Sequence, residues 1–170
     1  MIVFTNTTPL IALSSIDQLQ LLPQLFGNLY IAEAVIDECA EGGRIVVPDL
    51  RALSWVIPTA DEAMSELPVL FELDRGEKQT LALARKCSGS TVIIDERLGR
   101  RVAEYLGIRV TGTLGVLAKA RSVGMIPSFR EAAHAMVEQP RLPLPHASSG
   151  YHASSSLSFC ENGSMLIRSE

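Results

Sequence analysis

The chain has 170 residues, a formal net charge of −4, and a composition that is 47% hydrophobic but only 5% aromatic. This length suits one domain with a full core and is too short for two ordinary domains. A high aliphatic and low aromatic content favours an interior rich in Val, Ile, Leu and Ala, as in α/β proteins with buried parallel strands.

Several classes of protein are excluded by what the sequence lacks. It has no signal-peptide pattern at its start and no apolar run long enough to span a bilayer, so we expect a cytoplasmic protein without membrane contact. Cys39, Cys87 and Cys160 are widely spaced and odd in number, which indicates neither a disulfide framework nor a zinc knuckle. No Walker loop, Gly-x-Gly-x-x-Gly motif or Cys/His nucleophile arrangement is present.

The small net charge conceals an uneven distribution along the chain. Residues 1–74 contain two basic and eleven acidic side chains, whereas residues 75–130 contain eleven basic and four acidic ones. The basic segment could bind a polyanion across one face of the domain. The alternative is that the two segments balance each other within the molecule, or that their charges are ordinary solvated helix surface.

The first half of the chain alternates between strand and helix patterns. Residues 2–4 form an apolar run typical of a buried central strand, and Thr8 and Pro9 predict the cap and first turn of a helix. The further elements predicted here are a second helix that ends near residues 26–27, a strand at residues 29–31, a helix at residues 32–41 and an edge strand at residues 55–57.

The second half is more regular and predicts the fold class. Asp74 caps a helix that runs through Cys87, and the later elements are a strand at residues 91–94, a helix at 96–106, a strand at 108–110, and helices at 113–123 and 129–137. Strands that alternate with helices predict a central parallel sheet covered on both faces, an α/β fold with three α/β/α layers.

The chain is predicted to comprise one domain, residues 1–138, and a tail, residues 139–170. The tail is rich in Pro and Ser without sustained periodicity, which predicts a flexible segment. Its two histidines, His146 and His152, are interpreted as solvated residues and not as metal ligands.

Four acidic or amide side chains stand at the ends of predicted elements: Asn6, Glu38, Glu77 and Asp95. Open α/β sheets place their binding sites at the carboxyl ends of the strands, so these four side chains are expected to converge there. A pocket of such oxygen atoms is typical of Mg²⁺ or Mn²⁺ sites.

Three of the four also have a structural interpretation, and Glu38 is the exception, since a metal could be the partner that it needs. Asn6 could be a turn or cap residue, and Asp95 could cap the helix that follows it. Asp74 and Glu77 have capping-box spacing, so Glu77 could serve only its own helix. Glu38 leans toward the apolar side of its helix, where a carboxylate needs a partner.

A row of arginines lies next to these acids in the sequence. The helix at residues 96–106 has three apolar residues spaced to share one face, Leu98, Val102 and Leu106. Its arginines Arg97, Arg100 and Arg101 are then left exposed, where they could contact a phosphate backbone.

The order of these segments resembles the PIN-domain family, and more closely the bacterial PIN-like proteins related to VapC-type toxins. The resemblance covers residues 1 to about 138 and rests on five segments: Thr-Asn6-Thr-Thr-Pro-Leu-Ile, Ala-Val-Ile-Asp-Glu38, Leu-Asp-Arg-Gly-Glu77-Lys-Gln-Thr-Leu-Ala-Leu-Ala, Ile-Ile-Asp95-Glu-Arg and Gly112-Thr113-Leu-Gly-Val-Leu.

The resemblance implies a three-layer α/β/α fold, a Mg²⁺ or Mn²⁺ site and cleavage of single-stranded RNA. Carried over to this chain, the site residues are Glu38, Glu77 and Asp95, with Asn6 where the family pattern has Asp. Thr113 could orient a ligand or water, or cap the next helix. The partners implied are RNA, a cognate antitoxin and a second copy of the chain.

Two hypotheses follow for function. The first is a metal-dependent RNA endonuclease, a toxin of a toxin–antitoxin pair, weakened because Asn6 removes one negative charge. The second is a non-catalytic PIN-like module that binds RNA or a protein partner. Asn6 is the residue that separates the two hypotheses, and the Pro/Ser-rich tail falls outside the resemblance.

Overall fold

The computed structural model describes residues 1–62, 70 and 72–138, so the predicted tail at residues 139–170 lies outside the described residues. Its strands are β1 (Val3–Thr5), β2 (Leu29–Ala32), β3 (Val56–Thr59), β4 (Thr91–Ile93) and β5 (Arg109–Thr111). Its α-helices are α1 (Thr7–Ser14), α2 (Leu21–Phe26), α3 (Glu33–Ala40), α4 (Arg75–Lys86), α5 (Arg97–Tyr105), α6 (Thr113–Ser122) and α7 (Phe129–Val137), with a 3₁₀ turn at Leu50–Ala52.

The five strands form one parallel sheet in the order β3-β2-β1-β4-β5. Phe4 of β1 pairs with Tyr30 of β2 on one side and with Val92 of β4 on the other. The predicted α/β class with a central parallel sheet and α/β/α layers is therefore confirmed. Of the predicted run at residues 2–4, Val3 and Phe4 lie in the central strand β1, which begins one residue later and extends to Thr5.

The helices cover the sheet and bury an aliphatic core. α4 contacts β1, β2 and β4 and also packs on α3 and α5, whereas α2 contacts β2 and α6. Val3, Ile31, Leu81 and Ile93 have no exposed surface. Burial of side chains of this kind supplies most of the favourable free energy of folding, at about 25 cal/mol per Å² of apolar surface.

β3 is an edge strand, as the sequence predicts from Pro58. In the sheet, Pro58 pairs with Ile31 of β2, and its other side faces no further strand of the described sheet. A proline is tolerated there because an edge strand has one row of backbone groups that makes no ladder hydrogen bonds.

Two local predictions are wrong. Asn6, and not Thr8, occupies the N-cap position of α1. Leu98 does not share the buried face of α5 but is 39% exposed, while Gly99, Val102 and Ala103 are buried. The reason is close packing, since a Cβ atom at position 99 would lie only 2.5 Å from Ile94 Cδ1.

None of the helices in the described residues combines the length and apolar character that a membrane span requires.

Candidate metal and nucleic-acid site

The candidate site lies at the carboxyl ends of the central strand β1 and its neighbour β4. Asn6 follows β1 directly, and its backbone N–H donates to Ile93 O at 3.1 Å. Asp95 and Glu96 follow β4 after Ile94. The parallel sheet therefore brings residues about ninety positions apart in sequence to one edge, where such folds place their ligands.

Asn6 is almost completely buried, with 1% of its surface exposed. Its Nδ2 donates a long hydrogen bond of 3.5 Å to Glu96 Oε2. Its Oδ1 is buried and has no hydrogen-bond partner among the described residues. A buried carbonyl oxygen without a partner is costly, so this atom is available to a ligand.

Glu38 connects three helices at this edge. It lies on α3, and its carboxylate accepts hydrogen bonds from the Thr7 hydroxyl of α1 and from the Gly76 backbone N–H of α4, the latter at 2.8 Å. The sequence predicts that Glu38 needs a partner on the core side of its helix. In the structure its partners are Thr7, in the first turn of α1, and Gly76, in the first turn of α4.

Glu77 is the most strongly perturbed acid of the site. Its backbone N–H donates to Asp74 Oδ1 at 2.7 Å, which confirms Asp74 as the helix cap. The Glu77 side chain is only 5% exposed, and its Oε1 has no hydrogen-bond partner in the described part of the chain. The cap of α4 therefore leaves this oxygen free.

Burial raises the pKa of Glu77 from its ordinary value of 4.5 to about 7. The negative charges of Asp74, Glu96 and Glu38 add to this increase, and an interaction with the Asp74 backbone partly offsets it. Desolvation and like charges both disfavour the ionised form. A cation at this position would offset both effects.

Glu96 belongs to the site but is missed by the sequence analysis. Its carboxylate accepts hydrogen bonds from Asn6 and from the Thr8 hydroxyl, and its charge contributes to the raised pKa of Glu77. The signal was present, since two acids in succession end the apolar run of β4. Sequence alone could not decide which of the two faces β1.

Asp95, predicted as a metal ligand, has both carboxylate oxygens engaged with the start of α6. Oδ1 accepts from the Thr113 backbone N–H at 2.8 Å and Oδ2 from the Thr113 hydroxyl at 2.5 Å. Asp95 does not cap α5, where Glu96 holds the N-cap position without a side-chain bond. Its role as a metal ligand stays a prediction.

Three glycines let the backbone approach the site carboxylates closely. An added Cβ would lie 2.5 Å from Glu38 Oε2 at Gly76, 2.7 Å from Glu77 Oε1 at Gly99 and 2.6 Å from Asp95 Oδ1 at Gly112. Contacts this short would displace the carboxylates. The glycines therefore fix the positions of acids on α3, α4 and the end of β4.

The arginines of α5 differ from one another. Arg100 Nη1 donates to Ile94 O at 3.0 Å and is half-buried. Arg97 and Arg101 are exposed, and neither forms a salt bridge with a described residue. Two of the three arginines predicted to contact nucleic acid are therefore free to do so.

A cavity of about 400 Å³ lies elsewhere, between the end of α3 and the loop that follows it. Cys39, Val47 and Leu50 contribute to its lining, and its described lining includes none of the site's acids or Asn6. Burial raises the pKa of the Cys39 thiol to about 11, with a further contribution from Glu38. This thiol is protonated at neutral pH and is not a nucleophile.

The donor atoms of the site fit a hard divalent cation. Asn6 Oδ1 and Glu77 Oε1 are buried, unpartnered oxygens in the described structure, and oxygen ligands are those that Mg²⁺ and Mn²⁺ prefer. The acids do not by themselves enclose an ion, since no group of three His, Cys, Asp or Glu residues in the described ranges is arranged to hold one. Instead, the Thr7 hydroxyl donates a hydrogen bond to Glu38, and the Thr8 hydroxyl donates one to Glu96.

A parallel sheet with oxygen-rich side chains at its carboxyl edge places this protein among the open α/β folds that bind their ligands at that edge. A family model described as a PIN domain matches residues 1–143, and the chain belongs to this family. PIN domains are generally nucleases that use divalent metal ions. No curated protein and no solved structure matches the chain.

The contacts of Asp95 predict a loss of stability when it is removed. Asp95→Ala deletes both hydrogen bonds to Thr113 at the start of α6, so the free energy of unfolding should fall by about 1–3 kcal/mol. Relief of repulsion between crowded acids would instead make the change neutral or mildly stabilising. Urea unfolding in EDTA distinguishes the two outcomes, and Thr113→Val, which removes only the hydroxyl, should show the smaller loss.

Proposed function

We propose that the chain is a metal-dependent endonuclease that cleaves single-stranded RNA, with Asn6 reducing its affinity for the ion. The observation that carries the proposal is the pair of buried, unpartnered oxygens, Asn6 Oδ1 and Glu77 Oε1. Asn6 contacts Glu96, and the charges of Glu96 and Glu38 act on Glu77. Unpaired oxygens crowded by negative charge are costly to a protein that never binds a cation there.

The residues that would hold Mg²⁺ or Mn²⁺ are Asn6, Glu38 and Glu77, together with an acid from the end of β4. Asp95 is the acid that the sequence predicts. The contact of Glu96 with Asn6 and its electrostatic effect on Glu77 favour Glu96, whereas the contacts of Asp95 favour a role in positioning α6.

When bound, the ion would supply an activated water and neutralise charge that develops on the phosphate. The chain's own side chains would do the rest. Arg97 and Arg101 would attract the phosphate backbone from solution, since both are exposed cations next to the site. Thr113, fixed by Asp95, would hold the start of α6 at the edge of the pocket.

The partners in this proposal are single-stranded or structured RNA, a cognate antitoxin and a second copy of the chain. An antitoxin would suit a toxin whose unrestrained activity degrades cellular RNA. A weakened site would also suit a module that binds RNA without cleaving it. That second function is favoured by the neutral amide of Asn6 and by the lack of a three-acid cluster in the described residues.

A cleavage assay tests the proposal directly. Wild-type protein should cleave a mixed single-stranded RNA in Mn²⁺ and not in EDTA, and Glu38→Gln and Glu96→Gln should each reduce the rate by about 100-fold, the scale expected when charge stabilisation is lost. Asp95→Asn is the matched comparison for Glu96→Gln. If Asp95→Asn abolishes cleavage and Glu96→Gln does not, the ligand set of the sequence analysis is right and Glu96 is not a ligand.

Cleavage that persists in EDTA would contradict the proposal. Equal rates for wild type and for both Gln variants would do the same, because a contaminating nuclease would then account for the activity. The absence of any cleavage, with retained RNA binding, would favour the binding module.

A further inference from the structure

The exposed face of α5 carries two cations and an aromatic ring in one line. Arg97, Arg101 and Tyr105 are spaced four residues apart, so successive turns of the helix present them on the same side. Tyr105 is 79% exposed and both arginines are exposed, whereas Val102 and Ala103 on the opposite face are buried. An exposed tyrosine of this kind adds nothing to the core.

Within the described part of the chain, the arginines on this face form no salt bridges, unlike those near α3 and α4. There, Arg51 pairs with Glu33 and Asp37, and Arg75 pairs with Asp37 and Asp61. Arg97 and Arg101 have no such partner among the described residues, although Glu104 lies on the same exposed side of α5. The net positive charge of the face complements a polyanion.

The face begins at the candidate site. Arg97 is the first residue of α5, and the N-cap residue before it is Glu96. At 1.5 Å per residue, Tyr105 lies about 12 Å further along the helix axis. That distance corresponds to a few nucleotides of a strand whose scissile phosphate sits among the acids.

We propose that α5 is the track for single-stranded RNA at this site, with Arg97 and Arg101 on phosphates and Tyr105 stacked on an unpaired base; this rests on the proposed function. Proteins that bind single strands combine cations along the backbone with aromatic rings on which bases stack. A base inside a duplex has no free face for Tyr105. The track therefore selects single strands over duplexes.

Arg100 has a different role from its neighbours. Its guanidinium donates to Ile94 O and would contact a Cβ at Gly112 at 2.9 Å, so it ties α5 to the end of β4. It positions the track and does not contact the strand.

The test measures binding without cleavage, in EDTA and in a Glu77→Gln background of the full chain. Fluorescence anisotropy compares a labelled single-stranded RNA of mixed sequence with the duplex of the same sequence. Tyr105→Ala should weaken binding of the single strand about tenfold and of the duplex much less, while Tyr105→Phe should restore it. Arg97→Gln and Arg101→Gln should each weaken binding and lower the salt slope by about 0.7.

Two further variants serve as controls. Arg121→Gln removes an exposed arginine from the last turn of α6 and should change single-strand binding much less than Arg101→Gln. Glu104→Gln removes the opposing charge from the face of α5 and should tighten binding a few-fold.

The proposal is overturned if Tyr105→Ala binds single-stranded RNA as tightly as the parent, or if the duplex binds as tightly as the single strand. It is also overturned if Arg121→Gln weakens binding as much as Arg101→Gln does. It is also overturned if Tyr105→Ala converts a dimer into a monomer in sedimentation, since the face would then be a subunit interface. Failure of the proposed function gives a different result, in which the α5 variants alter binding while wild type cleaves no RNA in Mn²⁺.

Discussion

Replacing Glu77 with Gln is expected to stabilise the metal-free protein while abolishing its nuclease activity. The ionised carboxylate is 5% exposed and lies near the charges of Asp74, Glu96 and Glu38. An uncharged amide of nearly the same shape removes the repulsion and the cost of burying a charge. The pKa rises from its ordinary value of 4.5 to about 7 in the folded protein. Removing this unfavourable ionisation should raise the free energy of unfolding at neutral pH by about 1–3 kcal/mol.

The pH dependence of this gain has a definite sign. Because the pKa of Glu77 is raised in the folded state, its folded form binds the proton more tightly than the unfolded chain does. The stability that this proton contributes is present below about 4.5 and is lost as the pH rises through 7. The free energy of unfolding of Glu77→Gln should therefore equal that of wild type in acid, and the difference in favour of the variant should grow up to about pH 8.

Urea unfolding in EDTA across this pH range measures the effect. Glu72→Gln is a matched control, because Glu72 is exposed and its replacement should change the free energy of unfolding by less than about 0.5 kcal/mol. In Mn²⁺, wild type should become more stable than Glu77→Gln, since only wild type gains stability from the bound ion. A Glu77→Gln protein that is less stable than wild type in EDTA at every pH would show that the carboxylate serves the cap of α4.

Asn6→Asp is expected to raise affinity for Mn²⁺ and the rate of RNA cleavage by roughly tenfold or more, a factor that requires only about 1.4 kcal/mol. An amide offers Mg²⁺ or Mn²⁺ its carbonyl oxygen but no charge, whereas a carboxylate supplies both. The new charge would lie beside Glu96, whose own charge already acts on Glu77, so a cation there would stabilise it.

The structure changes one part of this expectation. From sequence alone, the nearly isosteric substitution should leave folding unaltered. In the fold, Asn6 Nδ2 donates to Glu96 Oε2, so Asn6→Asp replaces a donor with a second buried carboxylate. We expect the free energy of unfolding of Asn6→Asp in EDTA to be about 1–2 kcal/mol lower than that of wild type, and Mn²⁺ to remove this difference.

Calorimetric titration with Mn²⁺, RNA cleavage and unfolding in EDTA, carried out on both forms, test this prediction together. Asn28→Asp makes the same chemical change at an exposed position and should alter none of the three. If Asn6→Asp binds Mn²⁺ no better and remains inert, the site is not a weakened nuclease, and the binding module becomes the better account.

The sequence by itself determined the order of elements, the sheet and its central strand. Short runs of β-branched residues such as residues 91–93, which become β4, favour a buried parallel strand over a helix because of their length and composition. The cap of α4 by Asp74 was equally readable, because a cap depends on residues that are neighbours in the chain.

The tertiary structure alone decided which acid faces which partner. Asp95 and Glu96 are adjacent, and their directions depend on where α6 and α1 pack. Thr113 of α6 donates hydrogen bonds to Asp95, and the Thr8 hydroxyl of α1 donates one to Glu96. Leu98 turned outward for a similar reason, because Gly99 must lie against Ile94 and Glu77. Contacts between residues distant in sequence are set by packing in three dimensions, and local patterns carry no record of them.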